Sequence, residues 1–408
     1  MFTPNKTDFL KLAAQGNLVP VYREILADTE TPVTAYQKLR KRGPSFLLES
    51  VEGGTHIGRY SFLGANPRTV IRANSDTPGD PLRLVEAEMA KYRPVAIPGL
   101  PRFTGGAVGF IAYEYVHVIE PSVPRPPRDE LATPLLCFMI TDTLLIFDRL
   151  SQTIKVLANA HINGPPELAY AEACATIDEA IAQLGRPLPS RPVEFRRDPP
   201  DLPVTSNMTP QRYAEMVAAA KEYIRAGDII QVVLAQRFEM RTKASALEIY
   251  RALRSVNPSP YMFLLDFEDF QLVGASPEIH VRCEDGKVEI RPIAGTRWRG
   301  KTLEEDIALE KELLADEKER AEHLMLVDLA RNDIGRVCDF GSIRVPEFMV
   351  VERYSHVMHI VSQVEGKLQP GRSLYDLMQA TFPAGTVSGA PKVRAMQIIS
   401  ELEGTQRG

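Results

Sequence analysis

The sequence predicts an α+β fold built mainly from antiparallel sheet. Apolar runs follow one another across short polar turns, at 135–148 with 153–162 and within 261–276. Long segments with helical spacing stand between them, at 166–185 and at about 303–333, and hairpins mixed with long helices indicate α+β. The chain is also plainly globular in composition: 44% of its 408 residues are hydrophobic and 25% are charged, which excludes disordered and collagenous classes.

Taken in order, Thr31-Pro32 opens a helix (TPVTAYQKLRKRG), with Pro suited to the first turn and Gly43 to the stop. SFLLESV is a short strand, and GRYSFLGANPRTVIRAN supplies one or two more. LLCFMITDTLLIFD and TIKVLANAHI form an antiparallel hairpin around Arg149–Gln152. PELAYAEACATIDEAIAQLG is a helix that stops on Gly185. Residues 186–207 hold six prolines, which fix φ and remove backbone donors, so this stretch reads as a connection between a 1–185 region and a 208–408 region. Beyond it, Thr209-Pro210 caps a helix with Tyr213, Val217, Ala220 and Ile224 on one face. IIQVVLAQRFEM reads as a strand, ASALEIYRALRSV as a helix and YMFLLDFEDFQLVGAS as a hairpin. A charged helical stretch then precedes strand VMHIVSQVEG and the helices SLYDLMQATF and APKVRAMQIISELEG.

Net charge is −5, from 48 Lys+Arg against 53 Asp+Glu, so nothing favours nucleic acid or an anionic membrane as a partner. Cys137, Cys174, Cys283 and Cys338 are far apart and contain no CxxC pair, as expected of reduced thiols. MFTPNKTDFL lacks the apolar core of a signal peptide, and no apolar run approaches the length of a membrane span. The expectation is a soluble cytoplasmic protein.

Several short motifs carry possible chemistry. In DEKERAEHLMLVDLARND, Glu319 and Glu322 extend an apolar helix stripe through Leu326 and Leu329. Two carboxylates on adjacent turns can share Mg²⁺ with water and substrate oxygens, although a solvated charged face is the plainer alternative. FPAGTVSGAPK makes a tight glycine turn into a helix, either an anion site with free N–H groups or a capped junction with Ser388 as the cap. GASPE presents Glu278 at a strand end, where burial would make it a general acid, or where it forms a turn salt bridge. PIAGT presents Gly295 and Thr296, and VMHIVS carries His359, which on its own is more often a satisfied core histidine than a reacting one. His323, beside Glu322, has a possible supporting role. Glu49-Ser50 and Pro260-Tyr261-Met262 read singly as ordinary strand and turn residues.

Together, LLES, NPSPYMF, GASPE, PIAGTRWRG, ERAEHLMLVDLARND, VMHIVS and FPAGTVSGAPKVRAMQIISELEG occur in the order seen in the large subunit of anthranilate synthase. The chain resembles that family over nearly its whole length, most densely over 209–408. The resemblance implies two facing, mainly antiparallel sheets with helices outside. It implies conversion of chorismate and ammonia to anthranilate and pyruvate, with a separate glutamine amidotransferase subunit supplying the ammonia and L-tryptophan acting as feedback inhibitor. Carried over residue by residue, it makes Glu322 a Mg²⁺ ligand with Glu319 close by, and Gly295 and Thr296 chorismate contacts. Glu278 becomes the acid for the departing 4-hydroxyl, and His359 the acid/base of the pyruvate-eliminating half-reaction. Gly385 and Thr386 line the substrate site, while Glu49, Ser50, Pro260, Tyr261 and Met262 form the tryptophan site.

Ala294 distinguishes related families. Aminodeoxychorismate synthases resemble this one but typically carry a nucleophilic Lys where PIAGT has Ala, and isochorismate-type enzymes need that Lys as a base. Without it, ammonia itself attacks C2. The resemblance also implies a C-terminal continuation past Gly408, with a GAVGY-like segment, an arginine-bearing strand and an AGAGIVADS-like segment carrying further chorismate and Mg²⁺ contacts. The expectation is therefore a component I chain lacking that segment and inactive on its own. The alternatives are an aminodeoxychorismate synthase-type enzyme and a non-catalytic fragment that binds tryptophan or a partner.

Overall fold

The computed structural model describes residues 1–40, 43–51, 58–188, 202–354 and 356–408. Of the proline-rich connection, 189–201 lies outside the described residues. The α+β expectation holds. A seven-stranded antiparallel sheet runs in the order Leu18–Leu26, Thr153–His161, Thr143–Asp148, Tyr60–Ala65, Ser45–Glu49, Tyr261–Asp266, Gln271–Ser276. Its last two strands follow the proline-rich connection and complete a sheet begun before it. Strand period explains its two faces. Leu47, Leu63 and Leu145 point into a core covered by the Pro32–Leu39 and Pro166–Leu184 helices. Phe46, Leu144 and Ile146 point the other way, against Val108, Cys137 and Met139 of a three-stranded sheet made by Thr69–Ala73, Leu136–Thr141 and Gly106–Ile111.

The remaining large sheet holds five strands. Val357–Lys367 is its centre, flanked by Lys287–Ile290 and Ile293–Trp298 along one edge and by Arg344–Arg353 along the other, with Arg282–Glu284 outside. The Glu317–Gly335 helix packs on it through Val327, Ala330 and Ile334 against Val288 and Val364. Among the described residues, no helix is long and apolar enough to cross a membrane.

Four local expectations are corrected. The charged stretch at 303–333 is two helices, Leu303–Ala315 and Glu317–Gly335. Asp316 separates them because its carboxylate accepts the N–H groups of Lys318 and Glu319, an N-cap that restarts the helix in a new direction. The apolar run 135–148 is two strands in different sheets, parted at Asp142. The expected strand at 229–240 shrinks to Gln231–Val232 and Phe238–Met240, since its N–H groups go elsewhere: Val233 to the Ser388 carbonyl and Ala235 to the Glu403 carboxylate. In the Pro210–Arg225 helix, the buried stripe runs through Met216 and Ala220, while Ile224 is exposed.

Candidate active site and a second cavity

Glu278 leaves the sheet two residues after the Gln271–Ser276 strand. The Ser276 hydroxyl accepts the Glu278 N–H at 3.2 Å and donates to the Glu278 carbonyl at 3.1 Å, so the turn is held by its own side chain. The carboxyl faces a cleft floored by Ile290, Pro292, Leu326, Leu329 and Ala330. Burial there pushes it up to about 7, opposed by the hydrogen bond from Thr386 Oγ1 at 3.4 Å. A carboxyl at that value keeps its proton near neutrality, as a general acid must.

Thr386 belongs to the glycine turn. Gly385 sits so close to the Glu317–Gly335 helix that an added Cβ would lie 2.4 Å from Leu329 Cδ2. The turn differs from the expected capped junction. Ser388 Oγ donates to the Ala384 carbonyl at 2.9 Å, and the Lys392–Glu403 helix starts at Pro391 with no side-chain cap. The N–H groups of Val387 and Ser388 bond Ala384 and Gly385 within the loop, so they are not free for an anion.

A second group forms around Gly295. The pairing of Ile293–Trp298 with Val357–Lys367 shifts register between Ala294 and Thr296, which places Gly295 in a bulge at φ 73°. His359 stands opposite Thr296, and its Nδ1 is 3.0 Å from both the Gly295 carbonyl and Thr296 Oγ1. A carbonyl only accepts, so Nδ1 carries a hydrogen, and Nε2 is the ring nitrogen left to act as a base. An added Cβ on Gly295 would lie 3.3 Å from Glu319 Oε2, so this backbone rests directly against the first carboxylate of the helix.

Glu319 and Glu322 are half-buried, one turn apart. Arg297 Nη1 lies 3.5 Å from Glu319 Oε1, and Gln231 Nε2 donates to Glu322 Oε1 at 3.3 Å. Among the described residues no three acidic, His or Cys side chains converge on one point. The donor set is two hard carboxylates, half-buried and one turn apart, and its chemistry fits Mg²⁺ rather than a softer ion. His323 turns the other way: it is fully buried, bonds Ser362 Oγ through Nε2 at 2.7 Å, and is held down to about 4 by burial. It supports the core and not Glu322.

The Glu317–Gly335 helix therefore joins two groups of site residues. Glu319 touches the Gly295–His359 group, and Leu329 supports the Gly385–Glu278 group, ten residues or about 15 Å further along the axis. Sequence reasoning passed over Lys392 and Asp333, a buried pair 2.7 Å apart at the far end of this helix. Lys392 offered a signal, since a cation in the first turn of a helix is unfavourable unless something holds it.

The other five singled-out residues share a separate cavity of about 700 Å³. Glu49, Ser50, Pro260, Tyr261 and Met262 line it together with Tyr60, Phe62, Phe103, Arg102 and Arg282. Glu49 Oε2 accepts from Arg254 Nε at 2.9 Å, while Glu49 Oε1 and Ser50 Oγ are buried without a partner among the described residues. Such orphaned atoms are costly unless a ligand satisfies them. The aromatic lining was legible in GRYSF, where strand period puts Tyr60 and Phe62 on one face.

Comparison with known proteins places the sequence and the fold in one family. The family model for chorismate binding enzymes matches residues 43–408. Anthranilate synthase component 1 of Aquifex aeolicus is 47% identical over 98% of this chain and 83% of its own length. The protein of the same name from Acetivibrio thermocellus is 44% identical over 100% and 86%. The crystal structure of anthranilate synthase component I from Streptococcus pneumoniae superposes with a TM-score of 0.77 at 35% identity, covering 94% of this chain and 85% of that one. An isochorismate synthase from Escherichia coli shares the fold, with a TM-score of 0.67 at 16% identity. On these grounds the chain belongs to the anthranilate synthase component 1 family of chorismate-binding enzymes.

Proposed function

We infer that this chain converts chorismate and ammonia to anthranilate, pyruvate and water, a lyase reaction that opens tryptophan biosynthesis. The observation that carries this is the Glu278–Thr386 pair, a carboxyl raised to about 7 in an apolar cleft beside the Gly385 turn. Protonated Glu278 donates to the departing 4-hydroxyl as ammonia attacks C2, and the hydroxyl leaves as water. His359, through Nε2, takes the C2 proton as pyruvate is eliminated and the ring becomes aromatic. Gly295, Thr296, Gly385 and Thr386 hold the substrate between these two groups. Glu319 and Glu322 would hold Mg²⁺, which when bound offsets substrate carboxylate charge.

Ala294 supports the ortho-amino product. It offers no amine at the strand position before Gly295, so the nitrogen delivered to C2 comes from ammonia. Glutamine as the nitrogen source calls for a partner amidotransferase subunit, because none of the four cysteines lies in a Gly-x-Cys-x-Gly elbow. The second cavity suits tryptophan as inhibitor: Glu49 Oε1 and Ser50 Oγ meet its ammonium, and Tyr60, Phe62 and Phe103 its indole. Residues 1–185 supply Glu49 and Ser50 to that cavity, residues 208–408 supply the chorismate-site residues, and 186–207 connects them. The setting is cytoplasmic, where these small charged metabolites are made.

The test is to supply the protein, carried through the C-terminal continuation that the family resemblance implies, with chorismate, ammonium and Mg²⁺ and to identify the product by chromatography and fluorescence. Anthranilate is expected, with glutamine inactive as nitrogen source until the amidotransferase is added. A para-amino product, or glutamine-dependent turnover by the single chain, contradicts the assignment.

A further inference from the structure

Two short segments meet beside the acid. Residues 277–281 carry Glu278 and His280, and residues 381–386 carry Thr381, Gly385 and Thr386. They are pinned at two points. At one end Thr386 Oγ1 bonds Glu278 Oε2 at 3.4 Å, and at the other His280 Nε2 is 3.0 Å from the Thr381 carbonyl. That carbonyl also accepts from Lys392 Nζ at 2.9 Å, and the same ammonium meets Asp333 Oδ2 at 2.7 Å.

We propose that His280 is a positioning residue for the acid Glu278, acting through the Thr381 carbonyl, and that Lys392 with Asp333 ties that carbonyl to the helix bearing Glu319 and Glu322. This rests on Glu278 being the acid. One pin would leave the two segments hinged about Thr386, with the carboxyl free to swing toward solvent. The second pin removes the hinge.

The chemistry of each partner fits the task. A carbonyl has two lone pairs, so Thr381 accepts from both His280 and Lys392. Because it only accepts, His280 Nε2 carries the hydrogen, and burial holds the ring neutral, with Lys392 acting in the same direction. Among the described residues, the titratable groups that face His280 are Glu278 and Asp333, which line the same cleft, and Lys392, which shares its carbonyl. Phe382 fixes the ring sideways, edge-on to His280 at 6.2 Å and to Tyr115 at 5.6 Å. The motif order alone conceals this arrangement: Glu278 and His280 lie more than one hundred residues before Thr381.

The test compares His280→Leu and His280→Asn, which lose the donor or its reach, with His280→Gln, which keeps an N–H donor on a longer stem. Two readouts are used. Infrared difference titration follows the Glu278 carboxyl in the ligand-free protein, with Glu278→Gln as the blank. Steady-state profiles with chorismate, ammonium and Mg²⁺ give kcat and KM against pH. The expected result for Leu and Asn is a Glu278 titration lowered by about one unit or more toward the ordinary carboxylate range. With it, kcat falls about tenfold while KM changes less than about threefold, and Gln restores part of both. His280→Asn carries the comparison if the Leu variant does not fold. An unmoved titration, or a drop in thermal stability with Gln no better than Leu, makes His280 a structural brace only and overturns the proposal. If Glu278→Gln keeps full kcat, the acid assignment fails instead, and the titration still reports whether the clamp exists.

Discussion

Tyr261 stands directly opposite Ser276 across the hairpin, and Ser276 holds Glu278 through its hydroxyl. Tyr261 lines the 700 Å³ cavity, so one strand pair connects the proposed tryptophan site to the proposed acid. A ligand that displaces the Tyr261 backbone must also displace Ser276, because the ladder fixes their register. Ser276→Ala cuts this link after the strand. Tryptophan should still bind by calorimetry, while its effect on the rate weakens by about 2- to 30-fold, the range in which such mutations alter coupling. Undiminished inhibition in the variant would exclude this route.

Glu278→Gln separates activity from stability. Folding raises this carboxyl from its ordinary 4.5 to about 7, so the folded protein binds more protons than the unfolded chain between those values. Stability therefore falls as pH rises through that window, and above it a penalty on the order of 3 kcal/mol remains. The Gln variant should lose about 10²- to 10⁴-fold in kcat yet unfold at higher urea than the parent at about pH 8. The two should converge below about pH 4, where the parent carboxyl is protonated in both states. In the parent, kcat/KM should decline as pH rises through about 7, since only the protonated carboxyl donates.

Ser50→Phe tests the second cavity. Among the described residues Ser50 Oγ is buried without a partner, and the cavity wall there is already aromatic. A phenyl ring at 50 removes the hydroxyl and fills the volume that an indole needs. Tryptophan affinity should fall at least about 100-fold, or roughly 3 kcal/mol, when measured by calorimetry. Unchanged affinity would show that tryptophan binds elsewhere.

The elements legible in the sequence were those with one dominant period and a clear terminus. Thr31, Thr209, Ser245 and Ser373 each cap a helix where hydroxyl residues are expected to. The 135–148 run was misread because both of its strands are buried on both faces, so no alternation marks the change of sheet. Only Asp142 betrays it, a charge in an apolar run that bonds Arg68 at 2.6 Å. At the site, motif order located Glu278, Thr386, Gly295 and His359, and the structure brings them together in pairs. Lys392, Asp333 and His280 escaped notice because their meeting point is the Thr381 carbonyl, a backbone atom that no motif records.

The Asp333–Lys392 pair gives the last prediction. Their side chains are 12% and 10% exposed, and burial pushes Asp333 up to about 6 and Lys392 down, so each ion depends on the other to remain charged. Asp333→Asn leaves the ammonium with the Thr381 carbonyl and no counter-charge. Breaking a buried pair from one side typically costs about 3–5 kcal/mol, because the surviving charge keeps its desolvation penalty. Replacing both ends with apolar groups of similar volume removes both penalties, so Asp333→Leu with Lys392→Met should regain most of the lost stability in urea unfolding. The double variant should nevertheless remain slow, since the Thr381 carbonyl loses one of its two donors and the loop beside Glu278 is less firmly held. A stable double variant with parental kcat would show that the ion pair serves the core alone. Recovery of stability without recovery of kcat would show that it also serves the site.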